Sequence, residues 1–168
     1  MVTRAELRPT DPASAQVWDL AARVPDPEVP VLTIEDLGVL REARVSENGV
    51  HVVLTPTYSG CPAIDQMRAD VTHALRAAGY ENIEVTYTLS PAWTTDWMSE
   101  EGKRKLQEFG IAPPSGRSTD PVFLTLGVRC PRCDSIRTRE VSRFGSTACK
   151  AFYECLACLE PFDYFKVH

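Results

Sequence analysis

The sequence has no long hydrophobic run. Its longest unbroken apolar stretch, counting cysteine, is the five residues Cys155 to Leu159, against the roughly 18 or more that a membrane helix requires. No membrane span and no membrane partner are expected. The stretch from Met1 to Pro12 carries Arg4, Glu6, Arg8 and Asp11 and lacks the apolar centre of a secretory leader, so a cytoplasmic location is expected. An excess of basic charge is also missing: 18 Lys and Arg face 23 Asp and Glu, a net −5. Residues 1–118 carry −6 and residues 119–168 carry +1. A general polyanion binder is usually clearly basic, so nucleic acid is not an expected partner. No Gly-x-Gly-x-x-Gly and no Walker loop is present, which removes the common phosphate-cradling fingerprints. No Glu-x-x-His pair is present either, which removes the di-iron bundle signature. Histidine is scarce, with only His51, His73 and His168, and nothing in the order of residues suggests a Cys–His dyad.

What is there is a globular chain of 168 residues, 43% hydrophobic and 24% charged, long enough for one ordinary domain plus a small module. Thr10-Asp11-Pro12 offers a cap and an early proline for a first helix carrying Val17, Leu20, Ala21 and Val24 at helical spacing. Asp26-Pro-Glu-Val-Pro30 is stiff and cannot be helical throughout. Val39–Ser46 and Val50–Thr55 flank Glu47-Asn48-Gly49, a strong hairpin signal. Ile64, Met67, Val71, Leu75 and Ala78 place a second helix after Cys61-Pro62, with Gly79 as its stop. Asn82–Leu89 alternates as a third strand, and a third helix is expected over Asp96–Phe109. Pro113-Pro-Ser-Gly116 has linker composition. The expected organisation is therefore an α+β domain over 1–112, a linker over 113–120, and a β-rich module over 121–168. The first holds a small three-stranded mixed sheet with packed helices. In the second, strands are expected at Val122–Leu126, Ile136–Phe144 and Ala151–Glu154.

Cysteine is the informative residue. Cys130-Pro-Arg-Cys133 and Cys155-Leu-Ala-Cys158 stand 21 residues apart. Each Cys-x-x-Cys aims two thiolates at one point, and two such knuckles complete a tetrahedron. The gap is one residue over the usual window, but a strand out, a turn at Gly145 and a strand back make the pattern of a zinc ribbon. With no export signal, metal binding is favoured over disulfides. Closed four-cysteine sites are usually structural zinc. A rubredoxin-like iron in the same four cysteines, moving electrons, is the alternative.

Two cysteines remain. Pro62 is suited to the first turn of a helix, which puts Cys61 at the expected N-cap, where the helix dipole and unpaired N–H groups favour thiolate. Cys61 is thus a candidate functional or metal-handling thiol. Asp26 and Glu28 could act near it as ligands or acids, or form a solvated turn. Cys149, in Gly145-Ser-Thr-Ala-Cys149-Lys150, is a buried filler, a thiol exchanging with the cluster, or a reactive thiol beside Lys150.

The Asp26–Pro30 turn, the hairpin, and Thr55 to Cys61-Pro62 opening a helix resemble the metal–sulfur cluster assembly domain, typified by SufT and the cytosolic iron–sulfur targeting factors. Three longer stretches, Leu54–Pro62, Ser90–Trp97 and Phe144–Lys150 with Glu160–Phe165, resemble one branch of that family. These are the PaaD-type (also PaaJ-type) subunits of bacterial phenylacetyl-CoA epoxidase systems. The resemblance implies a non-catalytic accessory or maturation factor in phenylacetate catabolism, whose partners are the di-iron oxygenase or the reductase component. It implies a working thiol at Cys61, with Asp26, Glu28 and Thr55 near it, handling iron or an iron–sulfur cluster transiently. The alternative remains a redox component of the oxygenase with iron in the ribbon.

Overall fold

The structure is a computed structural model that describes residues 7–115 and 127–167. The chain forms two compact units, one of Met1–Trp93 with Trp97–Ser99, the other of Thr94–Asp96 with Glu100–His168. The expected strand at Val122–Leu126 and most of the expected linker lie outside the described residues.

In the first unit, helix α1 (Pro12–Ala21) starts where Asp11 accepts the Ser14 N–H at 2.9 Å, with Pro12 in the first turn. It ends three residues before the expected Val24, whose N–H already turns back to Ala21 O. Strands β1 (Leu40–Ser46) and β2 (Gly49–Leu54) form the Asn-Gly hairpin. Helix α2 (Ala63–Ala77) then crosses over to β3 (Ile83–Tyr87), which pairs parallel to β2. The sheet order is β1-β2-β3 and the sheet is mixed, as expected. Leu40, Ala43, Val50, Val52, Leu54 and Val85 are its buried positions. α1 packs against β1 and α2, and α2 against β3. Met67, Val71 and Leu75 of α2 and Val17 and Trp18 of α1 are buried. Thr33 and Asp36 cap each other's backbone N–H at 3.1 Å, closing the turn before β1.

The expected single helix over Asp96–Phe109 is two pieces, a 3-10 turn at Thr95–Trp97 and helix α3 at Glu100–Phe109. Ser99 separates them. Its N–H and hydroxyl are spent on Asp36, at 2.9 Å to the backbone oxygen and 3.0 Å to the carboxylate, which takes it out of a helical ladder.

The second unit holds α3 and a sheet in the order β4-β7-β6-β5. Its strands are β4 (Ile111–Ala112), β5 (Thr138–Ser142), β6 (Lys150–Cys155) and β7 (Pro161–Phe165). β4 runs parallel to β7, and β7–β6–β5 are antiparallel. Ile111 and Ala112 are thus strand partners of Asp163 and Tyr164. This compact unit takes in residues that proline composition had assigned to the first domain. The reason is that two residues suffice to pair once a strand edge is presented, and no local signal marks so short a strand.

The hairpin glycine has a specific reason to be glycine. Gly49 has φ +128° and a Cβ there would stand 2.2 Å from Asn82 O, the carbonyl that accepts the Val50 N–H. Gly79, at φ +89°, has nothing within 4 Å. Gly49→Ala is expected to lower unfolding stability by about 2–3 kcal/mol, and Gly79→Ala by about 1 kcal/mol from backbone strain alone. Chemical denaturation of the two variants checks the difference; equal losses would mean the Asn82 contact is not felt.

Candidate functional site

The two Cys-x-x-Cys segments fold as near-copies. In the first, the Asp134 N–H returns to Cys130 O and Asp134 adopts φ +59°. In the second, the Leu159 N–H returns to Cys155 O and Leu159 adopts φ +63°. Backbone amides point at the leading sulfurs: Arg132 N–H to Cys130 Sγ at 3.4 Å, Ala157 N–H to Cys155 Sγ at 3.4 Å, and Cys158 N–H to Cys155 Sγ at 3.5 Å. These N–H groups favour a charged sulfur. Those of Cys158 and Ala157 hold Cys155 down at about 6.

All four sulfurs lie within 4.8 Å of one another. Cys130 and Cys158 Sγ are 3.7 Å apart, and Cys133 and Cys155 Sγ 3.6 Å. A disulfide needs about 2.05 Å. Four sulfurs about 2.3 Å from a common centre at tetrahedral angles stand about 3.8 Å apart. The donor set therefore fits a tetrahedral thiolate metal of the zinc or iron type. Cys130 and Cys155 also belong to the unit's core, with Ala112, Val128, Ala151, Phe162 and Tyr164. Tyr153 packs beside it, its ring 5.9 Å from Phe162 and 5.5 Å from Tyr164.

Cys61 lies in the first unit, and its environment differs from the sequence expectation. Pro62 takes the helical conformation, φ −70° and ψ −19°, and is itself the N-cap of α2; no side chain caps the helix. Cys61 sits one residue further out and is buried. Burial pushes its thiol up, and the Glu28 and Asp26 carboxylates push the same way. An N–H from Ala63 and the Thr57 hydroxyl oppose them and are outweighed. The expected thiolate is corrected to a thiol: desolvation and two negative neighbours exceed what a helix terminus supplies. Asp26 is buried as well. Its Oδ1 accepts the N–H groups of Glu28 at 2.9 Å and Val29 at 2.6 Å, folding the Asp-Pro-Glu-Val-Pro turn around the carboxylate. Thr55, at the end of β2, is fully buried, and its hydroxyl has no hydrogen-bond partner among the described residues.

Residues 14–87 match the family described as iron-sulfur cluster assembly protein, and residues 114–166 match the PaaD zinc beta ribbon domain. A protein of Escherichia coli (strain K12), provisionally named as one of the subunits of 1,2-phenylacetyl-CoA epoxidase, is 48% identical over 155 residues, 92% of this chain and 93% of the relative. The chain belongs to the PaaD family. This PaaD-family chain is also 36% identical over 83 residues to the Fe-S protein maturation auxiliary factor of Porphyromonas gingivalis (strain ATCC BAA-308 / W83), spanning 48% of this chain and 78% of that one. Among solved structures, the DUF59 domain from Bacillus anthracis superposes with a TM-score of 0.51 at 28% identity, over 55% of this chain and 90% of that domain. No described helix is long and apolar enough to cross a membrane.

In this family member the cysteines fall into three settings. Cys130, Cys133, Cys155 and Cys158 converge. Cys61 is grouped with Glu28, Asp26 and Thr57. Cys149 stands in the ribbon loop, buried, its sulfur 3.0 Å from Thr147 Oγ1. Sequence reasoning missed Thr57, although it lies in the Pro-Thr-Tyr-Ser-Gly loop already linked to Cys61. It also missed the burial of Lys150, whose ammonium lies 3.5 Å from Asp163.

The Cys61 environment sets a pH dependence. With its folded value raised, Cys61 stays protonated as pH climbs past the ordinary thiol range, and alkylation accelerates only above that range. Iodoacetamide labelling read by peptide mass spectrometry is expected to show Cys61 slower than a model thiol at about pH 8, near the ordinary thiol value. Glu28→Gln is expected to shift the midpoint downward. Rapid labelling at neutral pH would refute the guarded thiol.

Proposed function

We propose that this chain is a non-catalytic accessory factor of a phenylacetyl-CoA epoxidase system, serving aerobic phenylacetate degradation in the cytoplasm. It assists assembly of iron or an iron–sulfur centre in a partner protein, the di-iron oxygenase or the reductase component. One observation carries the reading. A cluster-assembly module and a ribbon are joined in one chain that is 48% identical, over nearly its whole length, to a protein named as part of that epoxidase.

The working group is Cys61, supported by Asp26, Glu28 and Thr55. The carboxylates that keep the thiol protonated also attract a cation. When a metal ion arrives, its charge offsets theirs and the sulfur exchanges its proton for the metal. The balance is one thiol proton released per metal–sulfur bond formed. A single thiol with carboxylate neighbours holds such cargo loosely enough to pass it on. The Thr55 hydroxyl, without a hydrogen-bond partner among the described residues, is assigned to the same task as a further oxygen.

Cys130, Cys133, Cys155 and Cys158 hold one structural zinc. Four protein ligands leave no open position, and two of them are core residues of a unit with few aliphatic side chains. Elemental analysis of protein purified without added metal is expected to give about one zinc per chain; iron alone in that site would transfer the ribbon to the redox reading. Chelation offers a second check. The near-UV signal of Tyr153, Phe162 and Tyr164 is expected to collapse, while the fluorescence of Trp18, Trp93 and Trp97, all in the first unit, stays native. An unchanged tyrosine signal after complete metal removal would deny the metal its structural role.

Cys61→Ser tests the functional claim. The variant is expected to keep its fold and ribbon metal. A client epoxidase expressed with it is expected to carry less than about a tenth of the iron it acquires with wild type, the scale of loss expected when a ligating group is removed. Equal client iron and equal epoxidase activity would remove Cys61 from the function. Full iron with lost activity would point instead to a direct redox role.

A further inference from the structure

The ribbon loop between β5 and β6 holds one side chain against ordinary expectation. Phe144 is 70% exposed, yet its backbone is fixed on both sides. The Ser142 hydroxyl donates to Phe144 O at 2.9 Å and accepts the Phe144 N–H at 3.1 Å. The following residue is braced in turn. The Gly145 N–H donates to Lys150 O at 2.8 Å, and a Cβ on Gly145 would stand 2.9 Å from Asp163 Oδ1. Asp163 itself accepts from Ser146 Oγ at 3.1 Å and faces the buried Lys150 ammonium at 3.5 Å. Exposed phenylalanines on slack loops carry no message. Here a half-buried ion pair, a glycine and two serine hydroxyls brace the loop backbone that presents a large apolar ring to water.

The surroundings of the ring give the chemistry of what covers it. Val141, 54% exposed, and Phe152, 36% exposed, occupy the adjoining ends of β5 and β6. The Lys166 ammonium lies 5.1 Å over the Phe144 ring, anchored on Arg143 O at 3.2 Å. The Arg143 side chain is 87% exposed, and its contact with Glu140, at 3.7 Å, is a surface pairing that contributes little. The loop thus presents an exposed aromatic ring beneath a lysine ammonium, beside an exposed arginine.

We infer that Phe144, flanked by Arg143 and Lys166, is a pre-formed anchor for a protein partner offering an apolar pocket edged by carboxylates. A central aromatic held in its bound conformation avoids the ordering cost that weakens flexible contacts. Charges around it speed and orient encounter. The Gly145–Lys150 motif and Asp163 then have a purpose: they position the anchor. The identity of the partner as an epoxidase component rests on the function proposed above.

The test uses the full chain with its ribbon metal, and the separately purified oxygenase and reductase components as probes in calorimetric titration. Phe144→Ser and Arg143→Glu are each expected to weaken binding to one component by about tenfold or more, with metal content and tryptophan fluorescence unchanged. Ser142→Ala leaves the ring but frees its backbone and is expected to weaken binding several-fold. Ser142→Thr, which keeps a hydroxyl, is expected to restore it. Raising the salt concentration is expected to weaken wild type more than Arg143→Glu. If wild type binds and the Phe144 and Arg143 variants bind equally well, the anchor is refuted while the accessory function stands. If wild type binds neither component, the proposed partner falls, and the anchor assigned to it falls as well.

Discussion

The second unit depends on four sulfurs arriving at tetrahedral spacing. Its sheet has few large aliphatic side chains to bury. The centre that Leu or Ile would occupy elsewhere is shared between Cys130 and Cys155 and a small aromatic group, Phe162, Tyr164 and the half-buried Tyr153. Mutually close thiolates repel, which makes this donor set suited to a metal cation. The rest of the ribbon follows. The second knuckle turn fixes where β6 ends at the cluster and β7 leaves it. The β5–β6 hairpin extends from it, and the loop carrying Phe144, Cys149 and Lys150 hangs at the far end of that hairpin.

The first unit answers a different demand. It has a conventional core of Val17, Trp18, Leu32, Ile34, Leu54, Met67 and Leu75, large enough to hold polar groups that a marginal fold could not tolerate. Asp26 is buried and its turn folds over it; Thr55 is buried, its hydroxyl without a partner among the described residues; Cys61 is buried within the fields of both carboxylates. Unsatisfied or like-charged buried groups cost stability. Two carboxylates acting on one buried thiol is the arrangement on which the proposed function rests. A thiol kept protonated until a cation arrives suits cargo handling better than a permanently ionised one, which would oxidise or bind metal without discrimination.

The division of labour between modules also explains the family's unusual motifs. The Asp26–Pro30 turn and the loop ending in Cys61 bring carboxylates and a buried thiol together in the first unit. The Gly145–Lys150 loop serves none of the metal ligation. It forms a polar brace around Asp163, and its product is a fixed, exposed aromatic side chain. In the function proposed above, the first unit holds cargo through a guarded thiol and the second presents the surface that finds its recipient.

Much of this was legible in the sequence because the signals are local. Asn48-Gly49 sets a hairpin through the backbone freedom of one residue. The 3.6-residue recurrence of Ile64, Met67, Val71 and Leu75 sets a buried helix face. Two Cys-x-x-Cys knuckles announce a common centre, since each already fixes the separation of its own sulfurs. The strand at Ile111–Ala112 was not legible: two residues carry no periodicity, and their partners, Asp163 and Tyr164, are remote in the chain. The break at Ser99 was not legible either, because Asp36, which takes its N–H and hydroxyl, comes from a distant turn. The protonation of Cys61 went the other way from its sequence reading for the same reason. Pro62 and the helix start are neighbours in sequence and suggested a thiolate. Burial and the charges of Asp26 and Glu28, far upstream, act only after folding. That the four ribbon cysteines share one centre could be read from the chain, because residue type and short-range spacing set a ligand set. The charge state and exposure of Cys61 could not, because desolvation and through-space fields depend on what the fold brings near.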